Sequence, residues 1–261
     1  LGVELDENLE MIRDSIAEIV KRGKEALFDA EHFFDGFKAN PSYALQAIQA
    51  AYDAGARWVV LCDTNGGTLP DEVHRIVTAV ASHIPGDRLG IHTHNDTENA
   101  VANSLAAIEA GCRQVQGTIN GLGERCGNAN LVSLLPTLIL KKGFETGVSK
   151  DALPKLTEVS NMLEERLNRA PNRHAPYVGA SAFAHKAGLH VSAVEKDPSL
   201  YEHVDPALVG NRRQIVVSDQ SGRANILSNF RDMGIKIASD DPRVMRLVDE
   251  VKEREFQGYA Y

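Results

Sequence analysis

Residues 89–96 read Leu-Gly-Ile-His-Thr-His-Asn-Asp, a short apolar strand running into two histidines spaced i, i+2. Side chains alternate faces along a strand, so His92 and His94 point the same way. Two neutral imidazoles side by side at a strand end make half of a metal site. Taken alone, so short a motif also describes two ordinary surface histidines. Its surroundings change the odds, because acidic, amide and glycine residues stand at the ends of the neighbouring strands too.

Outward from that stretch the chain repeats strand then helix. Asp6 can cap a helix with Leu9, Ile12, Ile16 and Ile19 on one face, and Gly23 can end it. Residues 26–28 read as a strand ending at Asp29-Ala30-Glu31. Asn40 and Pro41 open a second helix with Leu45, Ile48 and Tyr52 inward and Gly55 as its stop. A strand over 58–61 ends at Cys62-Asp63-Thr64-Asn65, and a helix over 71–83 leads to the histidine strand. A helix over 98–110 stops at Gly111. The strand over 114–119 then enters Asn120-Gly-Leu-Gly-Glu124-Arg125-Cys-Gly-Asn128, and a further helix runs through Leu131, Leu134, Leu135 and Leu138.

Four such units at a spacing near thirty residues predict a parallel sheet with right-handed crossovers. In such sheets ligands bind at the C-terminal strand ends. Polar residues fall there in every unit: Asp29 and Glu31, Asp63 and Thr64, His92 and His94, Glu124 and Asn128. The repeated placement points to a metal-dependent site. It does not separate a closed barrel from an open doubly wound sheet.

The bulk properties narrow the class. A chain of 261 residues suits one large domain, or one domain with an appendage. Its formal net charge of -8, with the signs mixed along the chain, offers no basic face for nucleic acid or an anionic membrane. No apolar run approaches a membrane span, and no secretory signal is visible. Cys62, Cys112 and Cys126 lack Cys-x-x-Cys spacing, which suits a reducing cytoplasm better than a disulfide framework. The chain opens Leu-Gly-Val without an initiator Met, as expected of a trimmed chain or a piece of something longer.

Beyond about residue 150 the pattern changes. A helical stretch over 153–167 precedes a linker over 169–176 with two prolines. Then come Ala-Phe-Ala-His185-Lys-Ala-Gly-Leu-His190 and Asp197-Pro-Ser-Leu-Tyr201. Helices over 223–233 and 242–254 close a small, mainly helical subdomain. The division expected is 1–148 for the strand–helix array and 149–261 for linker and subdomain.

The segment His92-Thr-His94-Asn-Asp, followed by Gly121-x-Gly123-Glu124-Arg125-x-Gly127-Asn128, resembles one family closely. This is the 2-isopropylmalate, homocitrate and citramalate synthase family, acyltransferases built on a metal-dependent (β/α)8 TIM barrel. Phe28-Asp-Ala-Glu31-His-Phe-Phe-Asp-Gly36, Leu61-Cys-Asp63-Thr64-Asn-Gly-Gly67-Thr-Leu-Pro70, His185-Lys-Ala-Gly-Leu-His190 and Asp197-Pro-Ser-Leu-Tyr201-Glu look most like its citramalate branch. The family's first barrel strand carries Asp-x-Thr-Leu-Arg-Asp-Gly, which has no counterpart here. The resemblance therefore covers the C-terminal half of the barrel and the subdomain after it. Residues 255–261 resemble the start of the family's linker to a regulatory domain. Half a barrel leaves two sheet edges uncovered.

The resemblance implies condensation of acetyl-CoA with a 2-oxo acid, then thioester hydrolysis. On the citramalate pattern the acid is pyruvate and the product (R)-citramalate, within isoleucine and leucine biosynthesis. It implies a divalent metal ion (Mg, Mn or Zn) on His92 and His94, with an aspartate of the absent strand and Asn128 close by. Asn128 serves equally as a helix N-cap or loop anchor. Glu31, His185, Tyr201 and Glu124 match catalytic positions, with His185 the general base. Tyr201 is otherwise a half-buried packing residue, and Glu124 and Arg125 otherwise a structural ion pair. Thr64 and Asp29 fall at substrate-binding positions, although the Thr64 hydroxyl can equally satisfy its loop. The family precedent is a cytoplasmic homodimer whose subdomain reaches across to the neighbouring barrel. Three other readings stay open: a 2-isopropylmalate or homocitrate synthase, a metal-dependent aldolase or lyase of the same barrel family, such as a hydroxymethylglutaryl-CoA lyase, and a non-catalytic half-barrel interaction module.

Overall fold

The structure, a computed structural model, describes residues 2–218 and 220–259. Ala260 and Tyr261, part of the expected linker start, lie outside the described residues. The chain divides into two compact units between Leu134 and Leu135, ahead of the boundary expected at 148. Residues soon after the division belong with later ones: the Thr137 hydroxyl meets the Tyr177 hydroxyl at 2.9 Å, and Lys141 Nζ donates to the His203 carbonyl.

The first unit begins with α1 (Leu5–Lys21). Its N-cap is Glu4 rather than Asp6, which sits in the first turn where a carboxylate suits the helix dipole. α1 packs chiefly on α3, so Leu9 and Ile16 are buried while Ile19 stays exposed. β1 (Leu27–Ala30) is followed by a helix the periodicity did not indicate, α2 (Phe33–Ala39), which buries Phe33 and Phe34. α3 (Pro41–Asp53) starts as expected, with Asn40 Oδ1 accepting from the Tyr43 amide at 3.1 Å.

β2 (Trp58–Asp63), α4 (Pro70–Ala81), β3 (Leu89–Thr93) and α5 (Ala100–Glu109) follow. β4 (Gln114–Gln116) is shorter than expected. Past it, Thr118 bridges in parallel to Asn130, so the strand turns to the returning loop instead of continuing beside β3. α6 (Leu131–Pro136) gives way to a π-turn over Thr137–Lys141.

The four strands form one parallel sheet in the order β1-β2-β3-β4. These are successive strand–helix units of a partial (β/α) barrel. Strand alternation divides the sheet chemically. Val59, Leu61, Leu89 and Ile91, all fully buried, join Ile48, Ile76, Val77 and Val80 of the helices in one apolar cluster. The register pairs Cys62 with His92 and His92 with Gln116. Asp29, Val60, Cys62, Gly90, His92, Gln114 and Gln116 thus share the other face, and the chemistry is confined to it.

The second unit holds α7 (Leu156–Arg166), α8 (Gly188–Lys196), α9 (Arg223–Asp232) and α10 (Pro242–Phe256). It is mainly helical, as expected. It also contains a small parallel pair, β5 (Ala184–His185) with β6 (Gln214–Ile215). Ile226, Val244 and Val248 make its α9–α10 core. No helix among the described residues is long and apolar enough to cross a membrane.

Candidate functional site

β3 delivers His92 and His94 to one side of the sheet, with ring centroids 5.2 Å apart and planes inclined at 49°. Behind them the loop after β4 closes by backbone pairing. His94 and Asn128 form an antiparallel bridge, Asn95 N–H donates to Gly127 O at 3.0 Å, and Ala129 N–H to Thr93 O at 3.0 Å. The Asn128 amide nitrogen donates to Leu122 O at 2.9 Å, anchoring the loop. A Cβ on Gly123 would lie 2.0 Å from that nitrogen, so a side chain there would push the Asn128 amide out of this position. The helix cap is instead Asn130, whose Oδ1 accepts from the Val132 amide.

Among the described residues, Asn128 Oδ1 and His94 Nδ1 are buried without a hydrogen-bond partner, as is Gln114 Oε1 on the strand beside them. An unsatisfied buried polar atom costs about 1–3 kcal/mol unless a ligand takes it. The unpartnered Asn128 oxygen and His94 nitrogen, on bridged residues and beside a second imidazole, fit a cation of the kind that takes nitrogen and oxygen ligands. Among the described residues no group of three His, Cys, Asp or Glu side chains converges on one point. The donor set of this chain is two imidazoles and an amide oxygen.

Gln116, which motif reading passed over, stands beside His92. Its Oε1 lies 2.8 Å from His92 Nδ1, and its Nε2 donates to Asp29 Oδ1 at 2.9 Å. The strand period could have found it, since it lies one register step from the histidine strand on the same face. Gly90 leaves room for the neighbouring Gln114, whose Oε1 would lie 2.1 Å from a Cβ there.

Arg125 pairs with Asp96 rather than with Glu124. Its Nε and Nη2 reach the two carboxylate oxygens at 2.8 and 3.0 Å, and Nη2 also donates to Thr64 O at 2.6 Å. The arginine's hydrogen bond holds the Asp96 carboxyl below the usual range. This clamp ties the loop after β4 to the ends of β2 and β3. Glu124 contributes its carbonyl, which accepts from Gly127 N–H at 2.8 Å. Thr64 Oγ1 accepts from the His32 amide at 2.8 Å, which still leaves its proton free for a ligand. Asp63 is structural: burial pushes its carboxyl up, and Thr68 and Asn103 satisfy it. Burial first, then Asp29 and Glu31, push the Cys62 thiol up to about 12. Asp29 and Glu31 border a cleft of about 500 Å³ along β1, with Met11, Ile12, Phe28 and Tyr43.

In the second unit His185 is buried on β5 and its Nε2 lies 3.1 Å from Glu202 Oε1. Arg213 grips the same carboxylate with two bonds of 2.6 Å. Burial raises the Glu202 carboxyl, but the bonds from Arg213 and His185 outweigh it and hold it below the ordinary range. A carboxylate only accepts, so Nε2 carries the proton and Nδ1 is the basic atom of a neutral His185. Tyr201 is 44% exposed and lies against His190, ring centroids 4.2 Å apart, with the His185 ring 6.5 Å away. No spacing rule signalled Glu202 or Arg213, which lie 17 and 28 positions from His185 and meet it only through the fold.

The HMGL-like family model matches residues 1–162, the whole strand–helix array. The chain belongs to the HMGL-like family. A second model, the homocitrate synthase post-HMGL domain-like family, matches residues 177–258 of this HMGL-like chain. The (R)-citramalate synthase of Aquifex aeolicus is 52% identical over 261 residues, all of this chain and 49% of that protein. The (R)-citramalate synthase of Geobacter sulfurreducens gives the same three figures, 52%, 100% and 49%. The chain thus spans about half the length of the curated relatives it matches. Among solved structures, hydroxymethylglutaryl-CoA lyase from Pseudomonas aeruginosa superposes with a TM-score of 0.55 at 22% identity, over 66% of this chain and 59% of that one. At that identity the likeness concerns the fold alone.

Proposed function

We propose that the full-length protein is an acyltransferase that condenses acetyl-CoA with pyruvate to give (R)-citramalate and CoA. The supporting observation is identity at the level of 52% with (R)-citramalate synthases across all 261 residues. We also assign it a place in branched-chain amino-acid synthesis, a cytoplasmic location and a homodimeric state, on the resemblance of its motifs to that family. Domains 1–148 and 149–261 remain the functional division proposed.

A divalent ion, on which enzymes of this family generally depend, would sit on His92, His94 and Asn128 Oδ1 and polarise the carbonyl of the 2-oxo acid. The chain's own residues do the rest. Thr64 offers its hydroxyl proton to the acid's carboxylate, and Asp29, Glu31 and Glu124 border the reacting groups. His185 takes a proton from the acetyl methyl at Nδ1, because Nε2 is committed to Glu202. The carbanion carbon bonds to the 2-oxo carbon, whose carbonyl oxygen takes up a proton. Tyr201 orients the water that cleaves the thioester and releases the CoA thiol.

The test is a panel of pyruvate, 2-oxoisovalerate and 2-oxoglutarate with acetyl-CoA, reading free thiol and identifying the product by mass. Pyruvate should be preferred at least tenfold in kcat/KM, about 1.4 kcal/mol of discrimination. Preference for either larger acid, or thiol release without carbon–carbon bond formation, contradicts the proposal.

A further inference from the structure

We infer that Gln116 is a positioning residue that holds His92 in one tautomer and so selects the nitrogen it presents to a cation. The inference rests on the metal reading above and adds a residue to it. Gln116 links Asp29 of β1 to His92 of β3, residues of strands that are not sheet neighbours. The link has a direction. A carboxylate has acceptors only, so Asp29 accepts, and the Gln116 end facing it is the NH2 group. The other end, Oε1, then faces His92 and also only accepts. His92 Nδ1 is 2.8 Å from it and must carry the ring proton. A neutral imidazole has a single N–H, which leaves Nε2 with the free lone pair.

Free histidine prefers the opposite tautomer, with the proton on Nε2. The Asp29–Gln116 relay reverses that preference before any ion arrives. A metal-binding histidine oriented through its other nitrogen is the common arrangement, and loss of such a partner typically costs about 10–100-fold in metal affinity. Asp29 has the larger part for its distance. It touches no ring atom of His92, yet it dictates which way the amide faces.

Two measurements on the full-length protein decide it. The first uses 15N-histidine labelling of metal-stripped protein at a pH above imidazole titration, with the His92 signals assigned by their loss in His92→Ala. The wild type should show Nδ1–H. Asp29→Asn can donate as well as accept, so it frees Gln116 to turn round and should move His92 towards Nε2–H. The second is calorimetric titration with Mn2+. Gln116→Leu and Asp29→Asn should each bind about 10–100-fold more weakly. Thermal melting of each variant separates weak binding from misfolding. An Nε2–H tautomer in the wild type overturns the inference. So does unchanged Mn2+ affinity in both Gln116→Leu and Asp29→Asn. A wild type that binds no Mn2+ and no other divalent ion overturns the metal reading instead, while the tautomer measurement still decides the role of Gln116.

Discussion

Glu202→Gln tests how much one buried carboxylate holds together. The Glu202 side chain is 2% exposed, and it accepts from His185 at 3.1 Å and from Arg213 twice at 2.6 Å. An amide replaces one acceptor oxygen by a donor, so one arginine N–H faces another N–H. Loss of a hydrogen bond to a charged group costs about 1.5–3 kcal/mol. Arg213 is 36% exposed, so water takes up part of what it loses, and the lower half of that range is expected from its side. With the weakened contact to His185 the total comes to about 2–3 kcal/mol. At about 2–4 °C per kcal/mol, the scale for a unit of 150–250 residues, the transition that unfolds this part of the protein should fall by roughly 4–12 °C. Glu195→Gln is the control, since its bond to Arg231 is 3.2 Å long with side chains 30 and 67% exposed, and it should change stability by less than about 1 kcal/mol. The pH dependence adds a second reading. The folded carboxyl lies below its unfolded value of about 4.3, so its contribution is complete above that pH and disappears as pH falls through the folded value. The gap in melting temperature between wild type and Glu202→Gln should therefore be constant near neutrality and close on acidification below about pH 4.3. A variant that melts within 2 °C of wild type at pH 7, or a gap that widens in acid, would refute the account of Glu202.

His92→Ala should reduce divalent-ion binding below detection by calorimetry while shifting the melting temperature little, because strand-end side chains on this face serve function more than core packing. Leu61→Ala removes a fully buried side chain from the main apolar cluster and should cost about 2–5 kcal/mol, read from the urea midpoint. Burial pushes the thiols of Cys62 and Cys112 up to about 12, whereas Cys126 is exposed. Brief iodoacetamide treatment of the folded protein at pH 8 should label the Cys126 peptide and spare the peptides of Cys62 and Cys112, as read by peptide mass.

The sheet and its chemical face were legible in the sequence because both follow from local rules. Apolar runs of strand length at near-thirty spacing dictate a parallel array, and strand alternation commits His92 and His94 to one side. The Asn40-Pro41 start of α3 was equally local, a side-chain cap and a fixed φ. Short-range patterns misled where a longer-range partner won. The expected strand over 114–119 ends early because Thr118 finds Asn130, and Arg125 passes over its neighbour Glu124 for Asp96, 29 residues away. α2 was missed because its buried Phe33 and Phe34 are adjacent and show no helical period.

The sequence by itself determined which residue types stand at the strand ends, since the period of a strand and the spacing of the units are properties of the chain. Only the tertiary structure decided how those residues are oriented. The donor directions of Gln116 and the proton on His92 Nδ1 depend on Asp29, 87 residues from Gln116. The basic nitrogen of His185 depends on Glu202, itself held by Arg213. Hydrogen bonds act over about 3 Å whatever the separation along the chain, so partners brought together by folding leave no periodic trace in the sequence.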